Sequence, residues 1–98
     1  TKINSAENVY DVIINASLQK NVDSKDKKGN PAQFSLRINV DLIIVDKFDK
    51  TLQINFNEKK SYNNKEKKFE LKRYENILIQ NMSEKILSDI IIFFQNLS

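Results

Sequence analysis

The residues of this chain that could do chemistry are concentrated in one lysine-rich segment, residues 58–73. The segment holds seven basic and three acidic residues, a net charge of +4, whereas the whole chain of 98 residues carries only +3. A second segment, residues 20–30, holds four lysines against two aspartates, a net charge of +2. Clustered ammonium groups are suited to bind anions such as phosphates. The sequence therefore predicts an anion-binding surface, although a lysine-rich loop is more often only a solvated one.

The composition argues against most catalytic chemistry. The chain has no Cys, which excludes disulfides and zinc ribbons, and no His, which removes the usual general base. Its carboxylates show no pairing typical of acid and base roles, and there is no glycine-rich loop or serine elbow. No apolar run approaches the roughly 18 residues of a membrane span. We therefore expect no enzyme, no cofactor, no metal site and no transmembrane segment.

Three stretches alternate between apolar and polar residues with a period of two, the pattern of half-buried β-strands. They are residues 8–19, 33–46 and 51–57. The second stretch is the most regular and should form the central strand, with these even-numbered side chains in the core: Phe34, Leu36, Ile38, Val40, Leu42 and Ile44. The connections, residues 20–32 and 46–50, have no room for a crossover helix, so all three strands should pair antiparallel.

After Tyr62 the sequence changes to the period of a helix. Asn63, followed three residues later by Glu66, resembles a capping box, and helix-forming residues continue to Asn96. One face of this helix is apolar: Leu71, Tyr74, Leu78, Met82, Ile86, Ile90, Phe93 and Leu97. That face should lie on the even-numbered face of the sheet. The prediction is a single domain, residues 1–98, of the α+β class: an antiparallel three-stranded meander with a long C-terminal helix packed on one face.

This topology predicts where the lysines lie. In a three-stranded meander, the first loop and the junction between the last strand and the helix lie at the same end of the sheet. The two lysine-rich segments, residues 20–30 and 58–73, should therefore converge at that end.

The same features occur together in a known family. They are a basic loop with a glycine and an aromatic residue, an Asn-rich turn, and a helix that carries Lys, Glu and Met before closing apolar residues. In this sequence they are Lys27, Lys28, Gly29 and Phe34; Ser61, Tyr62, Asn63 and Asn64; and Leu71, Lys72, Glu75, Met82, Ile86, Ile90 and Leu97. Their order and spacing over nearly the whole chain resembles the C-terminal two thirds of the LPS-assembly lipoprotein family, LptE, formerly RlpB.

The resemblance implies both a fold and a role. The family fold is a four-stranded sheet with two helices on one face, and its N-terminal strand, first helix and lipidated Cys have no counterpart here before Asn8. The chain is therefore expected to lack the N-terminal part of the full-length protein. The resemblance also implies a lipoprotein at the periplasmic face of the outer membrane, with its lipid anchor outside this chain. It would act as a plug within the LptD β-barrel and bind lipopolysaccharide (LPS).

The resemblance also indicates which residues would bind LPS. By position, Lys27 and Lys72 match basic sites of the family, and we expect Lys28 and Arg73 to support them. The polar face of the sheet could be accommodated in a barrel lumen, which is polar as well.

Two other functions remain open. A pI near 9 and aromatic residues interleaved among lysines are compatible with a small basic nucleic-acid-binding module. We rank it lower, because the predicted exposed sheet face displays acidic and amide groups rather than aromatics and arginines. The chain could also be a structural adaptor whose helix packs on another protein while the lysines only interact with solvent.

Overall fold

Four antiparallel strands and one helix make up the structure, a computed structural model that describes residues 2–5 and 8–97. The elements are β1 (Lys2–Ser5), β2 (Asn8–Lys25), β3 (Pro31–Val45), β4 (Thr51–Asn63) and α1 (Lys68–Gln95). The strands form one sheet in the order β1-β2-β3-β4, so every strand pairs with its neighbour in sequence. The molecule is elongated, with extents of 59 × 19 × 18 Å.

The predicted fold class is confirmed. The long strands β2, β3 and β4 form the antiparallel meander, and the C-terminal helix α1 packs on one of its faces. The sheet contains one strand more than the sequence predicts, since β1 pairs with residues Asn8 to Asp11 of β2. The sequence did not reveal β1 because four residues are too short to show a period of two.

The strands run further than their alternating patterns. β2 continues through residues 20–25, which the sequence assigned to a loop, so that the predicted 13-residue connection is a turn of five residues. β4 likewise extends to Asn63. Strand pairing needs only backbone groups, and these extensions pair with the start of β3, with a register shift between Val22 and Lys25.

The core lies between β3 and the inner face of α1. All six even-numbered residues predicted to be buried in the central strand are buried, from Phe34 to Ile44, and Leu42 is fully enclosed. The helix contributes Met82 and Ile86 to the same cluster. The period of two in β3 was therefore a correct guide to its buried face.

The same pattern was a poor guide in β2. Among the even-numbered side chains of residues 10–25, only Val12 is buried, while Ile14 and Leu18 remain 54% and 50% exposed. The helix lies over β3 and β4, and one helix of about 10–12 Å diameter covers only about two strands spaced about 4.8 Å apart. The apolar side of β2 therefore faces the helix layer without being covered by it.

The predicted capping box is wrong. Asn63 is the last residue of β4, where its Oδ1 accepts a hydrogen bond from Nε2 of Gln33 at 3.2 Å. The helix begins later, at Lys68, and its N-cap Lys67 makes no capping hydrogen bond through its side chain. Glu70 supplies a negative charge in the first turn, which favours a helix N-terminus. Among the described residues, no helix combines the length and apolar character that crossing a membrane requires.

Candidate anion-binding site

The two lysine-rich segments meet at one end of the sheet, as the meander topology predicts. They border a cavity of about 840 Å³, which we call the cationic cavity. Its lining comes from β2, the β2–β3 turn, β3, the β4–α1 junction and the first turns of α1. The lining residues are Lys20, Asp26, Asn30, Pro31, Phe34, Asn64, Lys65, Glu66, Lys68, Leu71, Lys72 and Glu75.

The β2–β3 turn forms one wall of this cavity and is held by backbone hydrogen bonds between Asp26 and both Gly29 and Asn30, and by the carboxylate of Asp26. Oδ1 of Asp26 accepts hydrogen bonds from the backbone N–H groups of Lys28 and Asn30, both at 2.9 Å. Gly29 completes the turn with a φ of 85°, a conformation that glycine adopts without strain. The turn therefore holds the backbone of Lys27 and Lys28 in place while both side chains stay exposed.

Asn64 fixes the β4–α1 junction beside that turn. Its backbone N–H donates to the carbonyl oxygen of Ala32 at 2.8 Å, and its Nδ2 donates to the carbonyl oxygen of Pro31, also at 2.8 Å. Its Oδ1 accepts from the backbone N–H of Lys65 at 2.8 Å. These three bonds bring the lysines that follow Asn64 next to the end of the β2–β3 turn.

The structure brings the predicted site residues together only in part. Lys72 lines the cationic cavity, and Lys27 and Lys28 lie in the turn between Asp26 and Asn30, two residues that line it too. Arg73 does not line it. Arg73 borders a shallow groove on the outer surface of α1, about 100° further round the helix than Lys72, and Lys72 lines both this groove and the cationic cavity.

Three further lysines line the cavity that the sequence did not single out. Lys20 comes from β2, and Lys65 and Lys68 come from the junction and the first turn of α1. Lys65 also places its Nζ 5.0 Å from the ring centroid of Tyr74. The alternation of β2 could have indicated that Lys20 lies on the helix side of the sheet, since it occupies the even-numbered position directly after the apolar ones.

A buried carboxylate forms the floor of the cavity. Glu75 is only 6% exposed, and it accepts hydrogen bonds from the hydroxyl of Tyr62 and from Nζ of Lys20, the latter at 2.7 Å. The ammonium group of Lys20 also lies 4.3 Å from the ring centroid of Phe34. The contacts of Glu75 with Lys20 and Tyr62 therefore join α1 to β2 and β4 at this end of the molecule.

The charge states of this cluster follow from its contacts. Burial alone would raise the pKa of Glu75, but hydrogen bonds from Lys20 and Tyr62 and the charges of Lys20 and Lys72 outweigh it, so its pKa lies below 4.5. Burial raises the pKa of Tyr62 well above its ordinary value, and the hydrogen bond to Glu75 and the charges of Glu75 and Asp23 raise it further. At neutral pH, Glu75 is therefore ionised and paired with Lys20, and Tyr62 is neutral.

The other three lysines that line the cavity are not paired with carboxylates. Within residues 10–97, no ion pair joins Lys65, Lys68 or Lys72 to a carboxylate. The same residues contain no group of acidic side chains that could hold a metal ion. The cavity therefore presents the ammonium groups of Lys65, Lys68 and Lys72 beside the carboxylates of Asp26, Glu66 and Glu75.

Around Asn39, Asp41 and Asn55, the opposite face of the sheet is polar and hydrogen-bonded across strands. Nδ2 of Asn55 donates to Oδ1 of Asn39 at 2.8 Å and to Oδ1 of Asp41 at 2.7 Å. Nδ2 of Asn57 in turn donates to Oδ1 of Asn55 at 3.0 Å. This ladder gives β3 and β4 a polar outer surface on the side away from α1.

Comparison with known proteins finds the fold but no related sequence. No protein-family model and no curated protein matches the chain. Among solved structures, the chain is similar to the crystal structure of rare lipoprotein B from Shewanella oneidensis, with a TM-score of 0.72 and 18% sequence identity. The match covers 97% of this chain and 76% of that chain. The resemblance that the sequence motifs suggested is therefore confirmed at the level of the fold.

Proposed function

We propose that this chain is a non-enzymatic component of LPS assembly at the outer membrane and that it binds the phosphates of LPS at its cationic end. One observation carries the proposal: Lys72 lies in a cavity that it shares with the turn bearing Lys27 and Lys28. The similarity of the fold to rare lipoprotein B supports the same conclusion.

The chemistry of the cavity suits a phosphorylated lipid. LPS is a polyanion whose phosphate groups are attached to its lipid part, and each lysine offers a compact positive charge with three hydrogen-bond donors. Lys20 pairs with Glu75, and no ion pair joins Lys65, Lys68 or Lys72 to the other two lining carboxylates, Asp26 and Glu66. The charges of these three lysines can therefore act on a ligand. Lys27 and Lys28 are exposed above them and can reach further oxygen atoms of a large anion.

We also propose a role as a plug inside a β-barrel, and the polar part of the sheet face supports it. The lumen of such a barrel is polar, and the side chains of Asn39, Asp41 and Asn55 present amide and carboxylate groups that can pair with it. We therefore propose an LptD-like outer-membrane barrel as the partner, with the chain on the periplasmic side and its lipid anchor outside the residues described here.

A charge-reversal experiment tests LPS binding. The variant Lys27→Glu/Lys72→Glu should bind LPS roughly tenfold more weakly or worse. Each change replaces an ammonium group that donates hydrogen bonds to a phosphate with a carboxylate that repels the phosphate. The control Lys47→Glu/Lys50→Glu makes the same change in net charge at the opposite end of the sheet, in or directly after the β3–β4 turn. It should bind within about twofold of the wild type when affinities are compared at physiological salt.

Two results would contradict the proposal. An unchanged affinity of Lys27→Glu/Lys72→Glu would remove the cationic cavity as the LPS site. Equal weakening in the control would show that only the net charge matters. The barrel partner is tested separately, by co-expression with an LptD-type barrel. Failure to co-purify would remove the plug role and leave LPS binding intact.

The nucleic-acid alternative receives less support from the sheet. In the RNA-binding sheets of known modules, aromatic side chains stack on bases, whereas the polar face here carries Asn39, Asp41 and Asn55. Titration with a random single-stranded oligonucleotide over a salt series separates the two functions. Micromolar binding at physiological salt with a steep salt dependence would favour nucleic acid over LPS.

A further inference from the structure

The cationic cavity is lined by charges of both signs. Its lining includes four lysines and three carboxylates: Lys20, Lys65, Lys68, Lys72, Asp26, Glu66 and Glu75. Lys20 and Glu75 form an ion pair at 2.7 Å, so that three lysines and two carboxylates remain, a balance of +1. A site that only attracts phosphate gains nothing from these two carboxylates, because like charges repel. Their presence points to a ligand group that they can bind.

The two remaining carboxylates, Asp26 and Glu66, are not neutralised by the protein itself. Within residues 10–97, no ion pair joins either one to a basic side chain. Oδ1 of Asp26 accepts from backbone N–H groups of the β2–β3 turn, which leaves the charge of the carboxylate in place. Glu66 is exposed in the β4–α1 junction. Both can therefore accept hydrogen bonds from a cationic group that enters the cavity.

The charges of opposite sign come from different walls of the cavity. Lys68 and Lys72 are four residues apart on α1, so both lie on the same side of the helix. Asp26 belongs to the β2–β3 turn, and Glu66 belongs to the junction that precedes α1. A ligand whose phosphate contacts the helix wall therefore has carboxylates in the same cavity for a cationic group.

The volume and the charge of the cavity together narrow the choice of ligand. At about 840 Å³ it lies in the range of about 300–1,000 Å³ that is usual for small-molecule sites, and it is larger than a single phosphate needs. A divalent cation is a poor occupant, because the three lysines outnumber the two carboxylates. A purely anionic group leaves the carboxylates unpaired. A zwitterion with a phosphate and an ammonium group satisfies both signs of charge.

We propose that the cationic cavity selects a phosphodiester that carries an ammonium group. The phosphate lies against the helix wall, at Lys68 and Lys72. The ammonium group donates to Asp26 and Glu66. This inference rests on the proposed function and specifies it, since the preferred LPS phosphates are then those substituted with ethanolamine. Phosphatidylethanolamine presents the same headgroup, so lipid-borne ligands are needed to tell the two sources apart.

Two soluble diesters isolate the contribution of the ammonium group. Glycerophosphoethanolamine and glycerophosphoglycerol have the same singly charged phosphodiester, and only the first carries an ammonium group. In NMR titrations the wild type should bind glycerophosphoethanolamine roughly threefold more tightly or better, since each partly exposed ion pair contributes a factor of about 1.4–5. Equal affinities, or tighter binding of glycerophosphoglycerol, would overturn the inference.

The variant Asp26→Asn/Glu66→Gln, which we call the cavity variant, removes both negative charges. The amide oxygen at position 26 can still accept from the backbone N–H groups of Lys28 and Asn30, which keeps the turn. The cavity variant should bind glycerophosphoethanolamine roughly threefold more weakly than the wild type does, and glycerophosphoglycerol more tightly. A site that responds only to net charge would instead bind both diesters more tightly in the cavity variant, and this result would overturn the inference.

The control Asp46→Asn/Glu84→Gln makes the same change in net charge outside the cavity. Asp46 holds the β3–β4 turn as Asp26 holds the β2–β3 turn, because its Oδ1 accepts from the backbone N–H groups of Phe48 and Lys50 at 2.8 and 2.9 Å. Glu84 is exposed on α1. This control should keep the preference of the wild type for glycerophosphoethanolamine. Loss of the preference in the control as well would contradict recognition inside the cavity.

A single change guards against a folding defect in the cavity variant. Glu66→Gln alone, at an exposed position, should shift both affinities in the same directions as the cavity variant but by smaller factors. Tighter binding of both diesters by Glu66→Gln would again overturn the inference.

Lipid-borne ligands distinguish the sources of the headgroup and separate this inference from the proposed function. The wild type should bind LPS with ethanolamine on its phosphates roughly threefold more tightly than LPS without it. Equal affinities for both forms of LPS and for both diesters would overturn the inference and leave LPS binding intact. If neither form of LPS binds, both proposals fail. Binding only to phosphatidylcholine vesicles that contain phosphatidylethanolamine would overturn the assignment to LPS.

Discussion

The hydroxyl group of Tyr62 offers a test of the buried cluster below the cationic cavity. Tyr62→Phe removes one oxygen atom, the donor to the ionised Glu75, and keeps the ring between Phe34 and Tyr74, whose centroids lie 5.7 and 5.8 Å away. A hydrogen bond to a charged group contributes about 1.5–3 kcal/mol. The free energy of unfolding should therefore fall by about 2 kcal/mol, which corresponds to a decrease of roughly 8–16 °C in Tm for a domain of this size.

Urea unfolding followed by circular dichroism measures this change. Tyr74→Phe is the matched control, because it removes the same atom from a side chain that is 38% exposed, and it should change the free energy of unfolding by less than about 0.5 kcal/mol. In the double variant with Glu75→Gln, the effect of Tyr62→Phe should shrink, since its charged acceptor is gone. A Tyr62→Phe variant as stable as Tyr74→Phe would refute the role given to this hydrogen bond.

Three further predictions concern stability. Because the pKa of Glu75 is lowered in the fold, its stabilising effect is present above about pH 4.5 and is lost as the pH falls through the lowered value. In urea unfolding series between about pH 6 and about pH 3, the free energy of unfolding should therefore decline less in Glu75→Gln than in the wild type. Asp49 has a φ of 61°, which glycine adopts without strain, so Asp49→Gly should raise the free energy of unfolding by up to about 1 kcal/mol and raise Tm. An unchanged or lower Tm would contradict this. Met82→Ala should cost about 2–5 kcal/mol in the same urea assay because Met82 is 2% exposed, whereas Ile92→Ala, at a half-exposed position, should cost far less.

The central strand could be predicted because its side chains have one environment on each face. Every even-numbered residue from Phe34 to Ile44 packs into the core, and the alternation records this directly. The pairing of β2, β3 and β4 followed from connections too short for a crossover. These two features were sufficient to predict the meander, and the helical period of the apolar residues after Tyr62 predicted the helix on one face.

The ends of the elements could not be predicted in the same way. Residues 20–25 and 58–63 are rich in polar and charged side chains, yet they pair as strands because the backbone hydrogen bonds do not depend on side-chain burial. The helix begins at Lys68 rather than after Asn63, because Asn63 is still held in β4 opposite Gln33. Near such a junction, strand pairing outweighs the helix propensity of the local sequence.

The location of the candidate site could be predicted from the sequence, but the set of residues that line it could not. The topology indicated that the segments carrying Lys27 and Lys72 meet at one end, and the loop and the helix do meet there. The cluster of Lys20, Tyr62 and Glu75 joins residues far apart in sequence, and no local pattern marks such a contact. Arg73 lies outside the cationic cavity, in an outer groove that Lys72 also lines, because of the direction of single helical side chains, which depends on where the helix begins.

The most direct test of the cationic cavity is an NMR titration of the protein with the deacylated, phosphorylated disaccharide of LPS. Amide signals of residues 26–30 and 64–72 should shift together in a saturable way, while those of residues 46–50 at the other end of the sheet should stay in place. Saturable shifts centred on residues 46–50, or equal shifts at both ends, would contradict a phosphate site in the cationic cavity.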